Sequence, residues 1–225
     1  MPSALVTGAN RGIGLEFVRQ YAADGWRVFA ACRRPAEARD LAAIKGDVRV
    51  HALDVADDRQ IGDLARTLAN EPLDLLVNNA GVYGPRDPGN TETATWLETL
   101  RVNSIAPVHV ARHFIPNLER GSQKKIVGIS SGMGSIADNS SGGHLVYRTS
   151  KAALNMAMRS LAMDLKSRGF IVIAMSPGWV KTDMGGPGAP LTPQQSVTGM
   201  RRKIAALTAA DSGVFFRHTG EVYPW

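Results

Sequence analysis

Cysteine is nearly missing from this 225-residue sequence: Cys32 stands alone. A lone thiol makes no internal disulfide and no cysteine-rich metal centre, so a reducing, intracellular setting is the default expectation. No run of about eighteen apolar residues occurs, and no membrane-spanning helix is expected. The opening "MPSALVTGAN" has neither a basic n-region nor a long apolar stretch, so it reads as the start of a strand rather than a secretory signal. His51, His109, His113, His144 and His218 lack metal-ligand spacing with acidic or cysteine partners, which leaves no metal site to expect. Internal repeats, low-complexity tracts and linkers are missing too. One domain over 1–225 is the expectation.

What is present is a chain able to bury a full core, with 44% hydrophobic residues and a net charge of +6. The pI near 9.8 raises nucleic acid as a partner. Its basic clusters are only Arg33-Arg34, Lys124-Lys125 and Arg201-Arg202-Lys203, and none is interleaved with aromatics. No nucleic-acid motif accompanies them. A basic surface, or a site for a phosphorylated ligand, is the better reading.

Strand and helix patterns alternate along the chain. "SALVT" leads through a glycine-rich turn into a helix over "LEFVRQYAADG", which Gly25 is placed to stop. "WRVFAAC" and "VRVHALDV" read as strands, followed by helices over "PAEARDLAAIK" and "DRQIGDLARTLAN". "LDLLVNNAG" is a fourth strand, running into the loop "GVYGPRDPGN". A long helical stretch around 95–118 is expected to bend or end at Pro107 and Pro116. "KKIVGISS", "FIVIAMSPG" and "GVFFRH" complete the strands, with the Tyr147 helix and a short helix around 195–207 between them. Apolar strands without alternation suit a parallel sheet covered on both faces. The expected class is α/β, a doubly wound parallel sheet with helices on both faces.

The first turn, "TGANRGIG", sets Gly8, Gly12 and Gly14 between a strand and a helix. Glycines there let the backbone approach a pyrophosphate, whose charge meets the positive end of the helix. The end of the second strand faces a ribose in such folds, and an acidic residue there favours NAD. This chain has Cys32, Arg33 and Arg34 in that place, with Arg11 nearby in the glycine loop and no carboxylate. Arginine suits a 2′-phosphate, so the reading is NADP. Asp54 in "LDVAD" is read either as a contact to an adenine amino group or as a cap of the next helix. The asparagines of "NNAG", at 78–81, either bind or tie a turn. Tyr147 and Lys151 open a helix one turn apart and share a face. Alone, such a pair reads as a solvated surface contact.

Taken in order, "TGANRGIG", "NNAG", Asn103 in "RVNS", "ISSGMGS", "YRTSK" and "SPGWVKT" make the whole chain resemble the short-chain dehydrogenase/reductase family. "YRTSKAALN", "SPGWVKTDMGGPGAPLTP" and the ending "GEVYPW" resemble its small C-factor-like, Sniffer-type carbonyl reductases. The resemblance implies a Rossmann-type domain that reduces a ketone, aldehyde or quinone with NADPH. It makes Tyr147 the proton donor, Lys151 the charge that lowers the phenol's pKa and holds the nicotinamide ribose, and Ser131 the residue that fixes the substrate oxygen. Asn103 holds a water between Lys151 and solvent. Cofactor contacts are implied at Gly8, Asn10, Arg11, Gly12, Ile13 and Gly14 of the first turn, and at Arg33, Asp54 and Val55. Asn78, Ala80 and Gly81 follow, then Tyr147 and Lys151, and finally Pro177, Gly178, Val180 and Thr182.

Tyr147 lies sixteen positions beyond Ser131, a few more than is usual in the family, so Ser130 and Ser135 are rivals for the serine role. The region 182–212 is short for a substrate lid. Trp96, Trp179 and Tyr83 are read as pocket lining or as ordinary packing. The family implies a homodimer or homotetramer through the Asn103 and Tyr147 helices, and a cytoplasmic location. Alternatives are a 3-oxoacyl-carrier-protein reductase and a nucleotide-binding regulatory protein.

Overall fold

Short apolar runs become strands wherever glycine or a polar turn interrupts the helical spacing, and all of them run parallel. In the computed structural model, which describes residues 1–85, 89 and 91–225, seven strands form one sheet. They are β1 (Ser3–Thr7), β2 (Arg27–Cys32), β3 (Val48–Ala52), β4 (Leu75–Asn78), β5 (Lys125–Ile129), β6 (Ile171–Ser176) and β7 (Phe215–Arg217). Their order is β3-β2-β1-β4-β5-β6-β7, so the direction of winding reverses between β1 and β4. In such sheets ligands bind at the carboxyl ends of the strands beside that reversal.

The sheet separates two cores. Ala4, Val6, Val28, Ala30 and Val77 face one side, where α1 (Gly12–Ala23) and α7 (Pro193–Ala205) contribute Phe17, Val18, Val197 and Met200. Leu5, Phe29, Leu76 and Ile126 face the other, against Ile61 of α3 (after α2, Arg39–Ala42; α3 is Asp58–Thr67) and Phe114, Leu154 and Met158 of later helices. The expected doubly wound α/β architecture is thus present, with both faces of the sheet covered.

Gly25 ends α1 as expected: it sits at φ +76°, its N–H reaches the Ala22 carbonyl, and the Trp26 N–H reaches the Tyr21 carbonyl. That pairing satisfies carbonyls which the helix end leaves over. Two expectations need correction. "PAEARDLAAIK" forms a 3₁₀ turn, Pro35–Glu37, and then only the single turn α2, which buries Leu41 alone. So narrow an apolar face does not hold a longer helix. Between 95 and 118 neither proline ends a helix. α4 (Thr93–Leu100) passes through a π turn, Arg101–Ile105, into α5 (Ala106–Arg120), where Pro107 lies in the first turn and Pro116 inside. Pro107 has no N–H to give the Asn103 carbonyl, and the helix passes that point as a π turn instead of ending. Residues 86–88 and 90 of the loop "GVYGPRDPGN" lie outside the described residues.

Candidate active site

At the carboxyl end of β1 the glycine turn is built by missing side chains. An added Cβ on Gly14 would stand 2.3 Å from the Gly8 carbonyl oxygen, and one on Gly8 would stand 2.8 Å from the Ala80 Cα. Gly8 and Gly12 have φ of +64° and +55°, which glycine adopts freely. The N-terminus of α1 has no side-chain cap and no acidic residue in its first turn, so its N–H groups face outward for an anion. Asn79, which the cofactor contacts implied by resemblance omit, braces this turn. Its amide donates to the carbonyls of Thr7 (2.9 Å) and Gly8 (3.1 Å), while its own N–H and that of Ala80 donate to the Thr7 hydroxyl. Asn78 behaves differently: buried, it turns its amide to the Pro107 carbonyl at 3.0 Å, so only its main chain faces the cleft.

The arginines do not form the free cluster that the sequence suggests. Arg11 is paired with Asp183 at 2.6 Å and Arg34 with Glu37 at 3.4 Å. Carboxylates distant in sequence or one turn away therefore occupy both guanidinium groups. Arg33 is exposed and makes no ion pair among the described residues. Asp54 is not the cap of α3; Asp57 is, accepting from the N–H groups of Arg59 and Gln60. The Asp54 carboxylate instead accepts from the Ala56 N–H at 3.0 Å in a local turn. Val55 lines a hollow of about 280 Å³ with Leu97 and Ile105.

A second cluster gathers beside β5, where α6 (Leu145–Leu165) crosses the sheet. Tyr147 and Lys151 are both buried, at 7% and 5% exposure. The Lys151 ammonium donates to the Ile129 carbonyl at 2.9 Å and stands 5.8 Å from the centroid of the Tyr147 ring. Burial pulls its pKa from 10.5 down to about 8. Burial also pushes the Tyr147 phenol up to about 12, against a downward pull from its hydrogen bond with Ser131. The lowering that the resemblance implies needs the ammonium together with the positive nicotinamide ring; without that ring, desolvation dominates.

Of the three candidate serines, only Ser131 bears on the phenol, pulling its pKa down. Ser130 donates to the Asn155 side chain at 2.6 Å, and Ser135 to the Trp225 main-chain oxygen at 3.2 Å. Ser131 sits extended before a 3₁₀ turn, Gly132–Gly134, and accepts from the Met133 N–H. This turn presses on α6, for a Cβ on Gly134 would stand 2.8 Å from the Lys151 Cβ.

Asn103 lies in the π turn, wholly buried. Its side chain clamps Val82 in both directions, accepting from the N–H and donating to the carbonyl at 2.8 Å each, and donates to Ser150 at 2.9 Å. Those bonds use its amide, so any water it holds must bind the main chain, where a π turn frees a carbonyl from its α-helical partner. Gly81 closes the arrangement: a Cβ there would lie 3.2 Å from the Asn103 Oδ1 and 3.6 Å from the Lys151 Nζ.

Aromatic expectations divide. Tyr83 lines the site, stacked on Tyr147 with centroids 4.6 Å apart and edge-on to His144. Trp96 instead donates to Thr149 at 3.0 Å and ties α4 to α6. Trp179 is exposed and props its own loop through the Gly185 carbonyl at 2.7 Å. In that loop the Pro177 carbonyl accepts from Ser196, Gly178 takes φ +78°, and buried Val180 pairs with Leu191. Thr182 reaches back to the glycine turn, 3.2 Å from where a Gly12 Cβ would be. The region available as a lid is shorter than 182–212, because α7 is core from Val197 onward.

A glycine turn at the winding reversal and, two strands away, buried Tyr147, Lys151 and Asn103 with half-buried Ser131 define a dinucleotide-dependent oxidoreductase fold. The family model for short chain dehydrogenase matches residues 2–189, and the chain belongs to that family. It is 43% identical over 162 residues to C-signal of Myxococcus xanthus, covering 72% of this chain and 98% of that protein. Among solved structures, an NADPH-bound carbonyl reductase from chicken fatty liver superposes with a TM-score of 0.91 at 38% identity, over 100% of this chain and 99% of that one. The carbonyl reductase Sniffer of D. melanogaster gives 0.90 at 31% identity, with both chains covered in full.

Proposed function

We propose that the protein reduces a carbonyl compound to an alcohol with NADPH. The observation that carries this is the buried Tyr147, stacked on Tyr83 and one helical turn from a Lys151 that is itself buried and bound to the Ile129 carbonyl. With its phenol kept neutral by burial, Tyr147 carries the proton that a reduced carbonyl oxygen needs. The residues fit the cofactor: Gly8 and Gly14 leave a cradle that a Cβ would fill, and the open N-terminus of α1 suits a pyrophosphate. Unpaired Arg33 suits a 2′-phosphate. NADPH, when bound, supplies the hydride to the carbonyl carbon. Ser131 holds the carbonyl oxygen, Tyr147 gives it a proton, and Lys151, through a water held on the main chain of Asn103, returns a proton to the phenol from solvent. The kinship with the chicken NADPH-bound carbonyl reductase supports the same cofactor and substrate class.

The similarity to C-signal favours a second reading, a nucleotide-binding protein with a signalling task. Oxidation of NADPH followed across ketones, aldehydes, quinones and acyl thioesters separates the readings. Turnover of ketones, aldehydes or quinones is expected; preference for thioesters redirects the assignment to a carrier-protein reductase, and no turnover favours the signalling reading. We also assign a homodimer or homotetramer. Leu97 and Ile105 on the α4 side and Met156 and Met163 on α6 are exposed apolar residues on the two helical segments that carry the site. A monomer by sedimentation would overturn that assignment. A cytoplasmic location belongs to the same reading.

A further inference from the structure

The segment that follows β7 folds back along it. The Arg217 N–H donates to the Glu221 carbonyl at 2.8 Å, the Tyr223 N–H donates to the Phe215 carbonyl at 2.7 Å, and Phe216 pairs antiparallel with Val222. Tyr223 is fixed on both faces, stacked on Phe215 at 4.9 Å and covered by the Arg217 guanidinium at 3.8 Å. Its hydroxyl then reaches the Asp138 carboxylate at 2.8 Å. The same hydroxyl closes on Gly132, where an added Cβ would stand only 2.5 Å away. Two residues on, the Trp225 main-chain oxygen accepts from the Ala137 N–H at 2.8 Å and the Ser135 hydroxyl at 3.2 Å.

These contacts fall on the stretch that carries Ser131. The 3₁₀ turn after Ser131 is squeezed between Lys151 on one side, at Gly134, and Tyr223 on the other, at Gly132. Beyond it, residues 136–143 run exposed, with Gly142 and Gly143 meeting nothing within 4 Å of an added Cβ. The far half of this longer-than-usual connection is tied to α6, where Arg148 donates to the Gly142 and Gly143 carbonyls at 3.0 Å each and to Ser141 at 2.9 Å. The near half, next to Ser131, is anchored by the tail.

We propose that Tyr223, through its bond to Asp138 and its contact with Gly132, is a positioning residue that sets the Ser131 hydroxyl against Tyr147. This rests on the reading of Ser131 as the residue that holds the substrate oxygen. Removing the Tyr223 hydroxyl frees one side of the turn and lets Ser131 drift, while the glycine turn at the cofactor end of the cleft, which Tyr223 does not touch, keeps its affinity.

The test is steady-state reduction of the best carbonyl substrate by Tyr223→Phe, Asp138→Ala, Asp138→Asn, Ser131→Ala and the double variant Ser131→Ala with Tyr223→Phe. Tyr223→Phe and Asp138→Ala are each expected to lower kcat about tenfold, the scale of one lost charge-assisted hydrogen bond, with the NADPH KM unchanged. Asp138→Asn keeps an oxygen that accepts from the phenol and should recover most of the rate. On the Ser131→Ala background, Tyr223→Phe should cost less than about twofold, because two changes acting through one group are not additive. Parental kcat in Tyr223→Phe, or an undiminished tenfold loss on the Ser131→Ala background, overturns the proposal while leaving Ser131 its role. Parental kcat in Ser131→Ala overturns both. If Tyr223→Phe does not fold, Asp138→Ala reads the same bond from its other partner.

Discussion

At the glycine turn the protein works through main chain: Gly8 and Gly14 leave room, α1 presents open N–H groups, and Asn79 ties the turn from behind. Two strands away the work falls to side chains, with Tyr147, Lys151 and Asn103 all buried and each held by a named partner. The two ends fail in opposite ways. A site made of backbone tolerates changes in nearby polar groups and breaks when a methyl is added. A site made of buried side chains keeps its shape when one atom is removed and loses its chemistry. The sharpest test is Tyr147→Phe, which deletes a hydroxyl and keeps the ring stacked on Tyr83. Reduction is expected to fall about 10²–10⁴-fold, the worth of general acid catalysis, with NADPH affinity within about twofold of parent. Fluorescence titration of NADPH beside the rate assay checks both halves; loss of binding would show that the two ends are not separable.

The converse change is Gly14→Ala. Its methyl meets the Gly8 carbonyl oxygen and the Asn79 amide, at 2.3 Å and 2.5 Å. The turn must move, at about 1–3 kcal/mol of stability, the usual cost of overpacking. Urea unfolding should show that loss, and NADPH binding should fall with it; parental values in both would refute the backbone cradle.

Arg33 gives a smaller effect. Because Arg11 and Arg34 already hold carboxylates, Arg33→Asp is expected to cost about 1.5–3 kcal/mol of NADPH binding, while Arg34→Ala changes it little. Calorimetry with NADPH and NADH decides, and equal affinities of the parent for the two cofactors would remove the 2′-phosphate from the argument.

Much of this comparison is legible in the sequence, and its gaps have causes. The glycine turn declares itself because glycine spacing, a strand and a helix start are all local features. Tyr147 and Lys151 are legible because one helical turn separates them. The pairing of Arg11 with Asp183 is not, since it joins residues 172 positions apart. Asp54 and Asp57 have the same side chain, and only the backbone path shows which one caps α3. The π turn at Asn103 does have a local signal, because Pro107 four residues on has no N–H to give the Asn103 carbonyl. "GEVYPW" reads as an ending, and its hairpin onto the Ser131 stretch is visible only in three dimensions.

The smallest expected effect concerns Lys151 and separates its service to the site from its cost to the fold. Its amine is pulled from 10.5 to about 8 by burial, so between those values the folded protein has released a proton that the unfolded chain still holds. Stability therefore rises with pH across that window, and the burial cost is in full force below about 8. Lys151→Met removes the charge and keeps an apolar chain of similar length. Without NADPH, its melting temperature should exceed the parent's by a few degrees at pH 7, with the gap closing as pH approaches 10. Cys32, raised by burial, and Lys125, lowered by it, titrate in both proteins and cancel in the difference. Tyr147 enters only above 10, where ionisation of the unfolded chain begins to cost the fold. Thermal unfolding of both proteins from pH 7 to 10 makes the comparison. A gap that stays constant with pH would mean that Lys151 keeps its ordinary affinity for the proton when buried, and the lowering by burial would be refuted with it.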